Sequence, residues 1–344
     1  MRNQTQRQDA LPQLSFKGAW HRASATPITA IGVDAAHNVV AIASTAEDVA
    51  LWHMDGSKRT TLPSTHGARL ALSPLGALLA TAAPGSAAEI WSIPDGTLLQ
   101  TCPFAAAGAG GGADETDETI TALTWHPNQA ALYLGTQRGR VYTWRLDQAS
   151  GVQEMDISHL TMPDVAITAL LVSPQGTWLA VGRSDGGLGL ATLETPPHQL
   201  IYPGHHQGGV GAFHSGRGFF LISQSLNEPV CRLWEPGGIS PWVREWRLAD
   251  SMTAGDLYPF VVDPLERWSF SAATLALIQP WRHWRWPPED QLPGIVPPGV
   301  SPGDRSTSVT ALATDARGDL LIAADLAGRI WLWDVRAIVA AGMR

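Results

Sequence analysis

Lysine is almost missing from this sequence. Lys17 and Lys58 are the only two, and the other 21 of its 23 basic residues are arginines. Acidic residues number 31, which leaves a net charge of −8. That sign repels phosphate backbones at long range and argues against general nucleic-acid binding. Charge is scarce altogether, at 16%, against ~25% in ordinary soluble domains. A disordered chain would show the reverse, with many charges and few aromatics. Cysteine stands only at Cys102 and Cys231, too few for a disulfide framework or a zinc site. No run of 18 apolar residues occurs, so no membrane insertion is expected. The opening residues Met1 to Gln8 are polar with no apolar stretch behind them, so no secretory signal is expected and a cytoplasmic location is.

Glycine (34), proline (25) and tryptophan (15) are plentiful instead. A coiled coil would be rich in Glu, Lys and Leu and poor in the first two. The composition therefore points to a turn-rich, all-β chain. Its 344 residues alone suggest about two domains, but an internal repeat overrides that estimate. The clearest unit runs from Val309 to Asp334 and reads strand, turn, strand, turn, strand. The same frame begins near Ile28, Gly67, Ile120, Ile167, Val210, Leu257 and Val309, at spacings of 39, 53, 47, 43, 47 and 52 residues. Such spacings are the signature of a repeat architecture.

Two marks hold the frame together. Twenty-four residues after each start stand Trp52, Trp91, Trp144, Ala191, Trp234, Trp281 and Trp333. Seven residues after the start stand Pro74, Pro127, Pro174 and Pro264, and Gly76, Gly176 and Gly318 come two residues later in their frames. Pro and Gly there place a tight turn at the end of the first strand.

Seven such units resemble the WD40-repeat family, over about Leu14 to Val335. The resemblance implies an all-β, seven-bladed β-propeller with four-stranded antiparallel blades around a channel. It also implies that a strand near Gln13–Lys17 joins the last blade and closes the ring, which removes an exposed sheet edge. The expected boundaries are a tail over 1–12, one propeller over 13–336 and a tail over 337–344. Departures from the family pattern are visible. The Trp-Asp dipeptide stands only at Trp333-Asp334, the Gly-His pair only at Gly204-His205, and the turn aspartate only at Asp185. No blade shows the whole Asp-His-Ser/Thr-Trp network, so apolar packing is expected to carry more of the stability.

The six frame tryptophans read as packing between blades, as do Trp178 and Trp268, which share an offset on the second strand. Trp20, Trp125 and Trp331 have no assignment from the frame. Candidate partner contacts lie elsewhere. Trp242, Arg244, Trp246 and Arg247, then Arg282, Trp284, Arg285 and Trp286, fall at or near the outer strands of the fifth and sixth blades. Trp and Arg are the side chains enriched at binding hot spots, although Arg stacked on Trp would also simply cover a wide rim. Three connections exceed what a propeller needs: 105–119, ending in Asp114, Glu115, Asp117 and Glu118; 195–209, with His198, His205 and His206; and 287–308. By resemblance these loops share the face where propellers bind partners, though insertion without function is equally compatible.

The chemistry of an enzyme is thinly represented. Gly299-Val-Ser301-Pro-Gly303 has the nucleophile-elbow spacing but lies in a Pro/Gly-rich loop without the required strand and helix. No phosphate-cradling loop occurs. Histidines 198, 205, 206 and 214 lack metal-ligand spacing, so no metal and no cofactor are expected. Asp34, Asp263 and Asp315 recur at the seventh frame position, where Ser73 and Ser173 also stand, which fits a turn cap better than a cation site. The sequence therefore reads as a non-catalytic, protein-binding scaffold. The alternative is a propeller enzyme or small-ligand binder at the channel mouth, lactonase-like.

Overall fold

The computed structural model describes residues 15–20, 24–63, 65–102, 118–148, 151–194, 197–202, 206–215, 221–228, 230–234, 244–247, 259–265, 268–271, 276–278 and 309–336. β1 is Ser15–Trp20. The first frame holds β2 (Ile28–Asp34), β3 (Val39–Ser44), β4 (Ala50–His53) and β5 (Lys58–Thr61). The second holds β6 (Arg69–Leu72), β7 (Leu78–Ala82), β8 (Ala88–Ser92) and β9 (Leu98–Thr101). The third holds β10 (Ile120–Trp125), β11 (Ala131–Thr136), β12 (Val141–Arg145) and β13 (Val152–Glu154). The fourth holds β14 (Ile167–Val172), β15 (Trp178–Arg183), β16 (Leu188–Thr192) and β17 (Gln199–Ile201). The fifth holds β18 (Val210–His214), β19 (Leu221–Ser225), β20 (Val230–Trp234) and β21 (Arg244–Arg247). The sixth contributes β22 (Phe260–Val262), β23 (Ser269–Ser271) and β24 (Ala276–Ile278), and the last β25 (Val309–Thr314), β26 (Leu320–Asp325) and β27 (Ile330–Asp334).

Each of the first five frames is a four-stranded antiparallel sheet in chain order, and the sixth contributes three strands among the described residues. The last frame supplies three strands and takes β1 as its fourth. Ser15 lies opposite Asp334 and Trp20 opposite Ile330, so the N-terminal strand completes the last blade. It is the pairing expected near Gln13–Lys17, displaced a few residues along the chain.

The second strands of the first, third and last frames, Val39–Ser44, Ala131–Thr136 and Leu320–Asp325, are buried at every position. This explains why they read as continuous apolar runs rather than alternating ones. The five described frame tryptophans sit on the third strand, opposite an apolar residue of the second. Trp52 faces Val40, Trp91 faces Leu79, Trp144 faces Leu132, Trp234 faces Leu221 and Trp333 faces Leu321.

The core is divided into layers between neighbouring sheets. Trp91 packs with Val39, Leu51 and Leu62 of the first frame. Trp144 packs with Ala80, Ala88 and Ile90 of the second, Trp234 with Leu188 and Leu190 of the fourth, and Trp333 with Trp268 and Phe270 of the sixth. Trp52, partly buried, packs against Leu320 and Ile322 of the last frame. Each indole thus fills the space towards the preceding sheet. Trp281 lies outside the described residues. The last layer joins the two ends of the chain, with Ile28, Ile31 and Val40 against Ile322, Ile330 and Leu332.

Three other tryptophans have structural places too. The Trp125 indole donates to the Ala71 carbonyl of the second frame at 2.9 Å. The Trp268 indole donates to the Gly318 carbonyl at 3.0 Å. Trp331 is buried between the sixth and last sheets, with the Arg329 guanidinium 5.4 Å from its ring.

The expected turns are present. Gly76, Gly176 and Gly318 have φ of 84°, 72° and 64°. The seventh position caps this turn: Asp34 accepts Ala36 N–H at 3.0 Å, Asp263 accepts Leu265 N–H at 3.1 Å, and Asp315 accepts Asp319 and Leu320 N–H at 2.7 and 2.8 Å. Ser73 and Ser173 do the same with Leu75 and Thr177.

One expectation needs correction. The segment 195–209 is not a single loop, because β17 runs through it and pairs Leu200 with Leu190 and Ile201 with Gly189. Pro196 and Pro197 precede a short outer strand, and the connection to the next blade begins only after Ile201.

Candidate functional site

The inner strands build the channel, and a bulge shapes five of them, β2, β10, β14, β18 and β25. Pairing slips between the first and third frame positions at Ile28/Ala30, Ile120/Ala122, Ile167/Ala169, Val210/Ala212 and Val309/Ala311. Such a bulge leaves one extra residue unpaired and twists the strand. Threonine occupies it at Thr29, Thr121, Thr168 and Thr310. Their hydroxyls donate to the second-strand carbonyls of Ala43, Gly135, Gly182 and Ala324 at 3.3–3.4 Å. Thr121 also lies 2.5 Å from the Ile167 carbonyl, which ties two blades together at the channel wall. This repeated threonine was available in the sequence as a third frame mark.

The inner strands β2, β6, β10, β14 and β18 border a cavity of about 640 Å³. Its walls are Thr29, Thr121 and Thr168, small residues such as Ala30 and Gly211, and the apolar side chains Leu70, Leu123, Leu170 and Phe213. Arg69 is the one charged residue among the described lining. Its side chain is exposed, and partial desolvation by the surrounding walls lowers its pKa from the ordinary value. Arg69 carries none of the recurring frame marks, although its position departs from alanine at the equivalent residues 30, 122, 169, 212 and 311.

Of the loop residues read as partner contacts, Glu118 and His206 fall within the described residues, and both turn inward. Glu118 accepts the Thr136 hydroxyl at 2.6 Å and the Tyr142 hydroxyl at 3.0 Å. Burial and this nearby carboxylate push the Tyr142 phenol up to about 12. His206 is buried, with Nε2 2.7 Å from the Ser223 hydroxyl, and the Trp234 indole donates to that same oxygen at 2.6 Å. A His-Ser-Trp network therefore exists in the fifth blade, built on His206 and not on the expected His205. Two adjacent histidines look alike to a sequence pattern, and backbone geometry selects between them. Trp91 keeps a two-member version, donating to Thr81 at 2.9 Å.

Asp114, Glu115, Asp117 and His205 lie outside the described residues, as do Trp242, Arg282, Trp284, Arg285, Trp286 and Ser301. Arg244, Trp246 and Arg247 lie on the outer strand β21, opposite Leu233, Cys231 and Val230. Arg232 beside them donates to Glu245 at 2.8 Å. His214 packs edge-on to Phe260 at 5.3 Å. Among the described residues no three His, Cys, Asp or Glu side chains come together as metal ligands. Cys102 and Cys231 are separate, buried thiols, and burial pushes Cys231 up from its ordinary pKa. No helix among the described residues is long and apolar enough to cross a membrane.

The outer strands differ in how they meet solvent. β5 carries Lys58 and Arg59, which guard an edge against further pairing. β9 carries Leu98 and Leu99, 47% and 51% exposed, and β17 carries Leu200 and Ile201, 38% and 55% exposed. Exposed apolar residues on a rim mark a surface suited to protein contact.

No protein-family model matches the chain. Over 135 residues it is 24% identical to a protein from Drosophila melanogaster named Protein LST8 homolog, covering 37% of this chain and 41% of that protein. It is also 24% identical over 135 residues to the Target of rapamycin complex subunit LST8 from Bos taurus, covering 37% of this chain and 39% of that protein. The chain thus matches about two fifths of the length of these curated relatives.

Proposed function

This chain is a WD40-type β-propeller, and from that premise we propose that it is a non-catalytic scaffold binding one or more proteins. The observation that carries this reading is the similarity to a protein that is, by its name, a subunit of a complex. We read the three-stranded β22–β24 sheet as the sixth of seven blades within one ring over 13–336, with tails on either side. Its packing against the last frame through Val261, Trp268 and Phe270 supports that count. So does the His214–Phe260 contact towards the fifth frame.

A closed ring suits such a role because it holds its loops and rim in place before a partner arrives. Pre-ordered surfaces lose less entropy on association. The candidate surfaces are the long connections and the outer rim, including Trp242, Arg244, Trp246, Arg247, Arg282, Trp284, Arg285 and Trp286. Exposed Leu98, Leu99 and Ile201 add apolar area on other outer strands. The reading also expects a cytoplasmic chain. The hydrolase alternative needs converging bases and acids, and the described channel lining offers Arg69 as its one charged group.

The test is affinity purification of the tagged chain at native expression levels, followed by mass spectrometry. A reproducible protein partner is expected, and Trp284→Ala with Arg285→Ala should weaken its recovery while circular dichroism stays unchanged. Repeated recovery of no partner would sink the scaffold reading. A partner retained in full by the double variant would move the interface away from this rim.

A further inference from the structure

The channel mouth carries a charge that the fold itself does not use. Backbone register makes Arg69 the equivalent of the channel alanines. It lies opposite Ala82, as Ala30 lies opposite Ala43, Ala122 opposite Gly135 and Ala169 opposite Gly182. A ring of small residues with one arginine leaves space in front of that arginine. No ion pair or hydrogen bond holds Arg69 among the described residues. The Arg69 side chain is exposed on the cavity wall, so its guanidinium is open to an anion that enters.

The surroundings narrow the ligand class. The planar guanidinium presents a fork of donors that matches a carboxylate or a phosphate in two parallel hydrogen bonds. The threonine hydroxyls at the bulges are already donated to strand carbonyls, so charge recognition rests on Arg69. Leu70, Leu123, Leu170 and Phe213 give the cavity apolar walls. Its volume of about 640 Å³ falls within the roughly 300–1,000 Å³ typical of small-molecule sites. The net charge of −8 works against polyanions at long range.

We propose that the channel mouth binds a small organic anion, with one carboxylate or phosphate group on Arg69 and an apolar body against Leu70, Leu123, Leu170 and Phe213. The site is independent of protein binding at the rim, and either property can stand without the other.

Isothermal titration of the full chain with benzoate and with phenyl phosphate tests this, with benzyl alcohol as the uncharged control. Saturable one-to-one binding of at least one anion is expected, and the alcohol should bind at least tenfold more weakly. The stronger of the two identifies the head group. Arg69→Gln should weaken that binding about tenfold or more, a loss of ~1.4 kcal/mol. Arg69→Lys should retain part of it, since charge persists without the fork. Ala30→Glu, which leaves Arg69 in place and supplies an internal carboxylate to the same cavity, should abolish it. The site is refuted by the absence of saturable binding of either anion up to about 10 mM, by equal binding of the alcohol, or by unchanged affinity in Arg69→Gln or Ala30→Glu.

Discussion

His206 and Ser223 are joined by a buried hydrogen bond, Nε2 to Oγ at 2.7 Å, across the fifth blade. The Trp234 indole completes the chain at 2.6 Å on the same oxygen. Ser223 can accept from the indole and donate to the imidazole, so one hydroxyl ties the entering loop to the third strand. Ser223→Ala would leave a buried indole N–H and a buried ring nitrogen facing an apolar methyl. Such orphaned groups cost roughly 1–3 kcal/mol. We expect a loss in that range by urea denaturation. Thr81→Val, which removes the acceptor for Trp91 alone, should cost less. Equal losses in the two variants would show that His206 adds nothing.

The fourth blade departs from the tryptophan rule and compensates locally. Ala191 is fully buried beside Ile157 and Leu160, which come from the segment between β13 and β14. Leu160 rests on β16, so closely that a Cβ on Gly189 would lie 2.5 Å from its Cδ2. Ala191→Trp should therefore overpack the layer, at a cost of roughly 1–3 kcal/mol or more. Leu160→Ala should open a cavity, at roughly 2–5 kcal/mol. If the two side chains compete for one space, the double variant will be more stable than the sum of the single losses. Strict additivity in thermal denaturation would refute the shared space.

These two blades show what the sequence could and could not convey. The frame tryptophans were legible because each of the five described ones occupies one register position on the third strand, and register is fixed by pairing on both sides. The closing strand was legible as a short segment ahead of the first frame. Leu160 was not, because a residue filling a gap from a connection has no periodic address. β17 was missed for a related reason: three residues pairing along one edge make no period of their own. Arg69 was hidden differently. It sits in register, but as an exception to alanine, and a repeat announces itself through the residues that recur rather than through those that depart.

Acid should loosen the fifth blade through His214. Burial lowers its pKa to about 4, against a weaker opposing hydrogen bond from Gln224. Its Nε2 is out of contact with water, although the side chain as a whole is only half-buried. Unfolded, the imidazole titrates near ~6.5, so between these values the unfolded chain binds more protons. The contribution is whole above pH ~6.5 and is lost as pH falls towards 4. Its upper limit is about 3 kcal/mol, reduced by solvent screening of the half-buried ring. In urea midpoints measured from pH 7 to 4.5, His214→Phe should decline less steeply than the unaltered chain. Parallel slopes would remove His214 from the acid response.

Two turn glycines separate backbone strain from crowding. Gly85 and Gly186 both lie between the second and third strands of their blades, with φ of 69° and 89°. A Cβ on Gly85 would meet nothing within 4 Å. A Cβ on Gly186 would lie 1.7 Å from the His206 carbonyl oxygen, which is backbone and cannot swing away as a side chain would. That residue also donates its N–H to the Gly186 carbonyl at 3.1 Å. Gly85→Ala should therefore cost only the left-handed penalty, roughly 1–2 kcal/mol. Gly186→Ala must bear the same penalty and push the entering loop away, carrying His206 off Ser223. We expect the larger loss of melting temperature for Gly186→Ala, and a smaller further loss when Ser223→Ala is added to it than in the unaltered background. An equal fall for both glycine variants would mean that the blade-to-loop contact has no stabilising role.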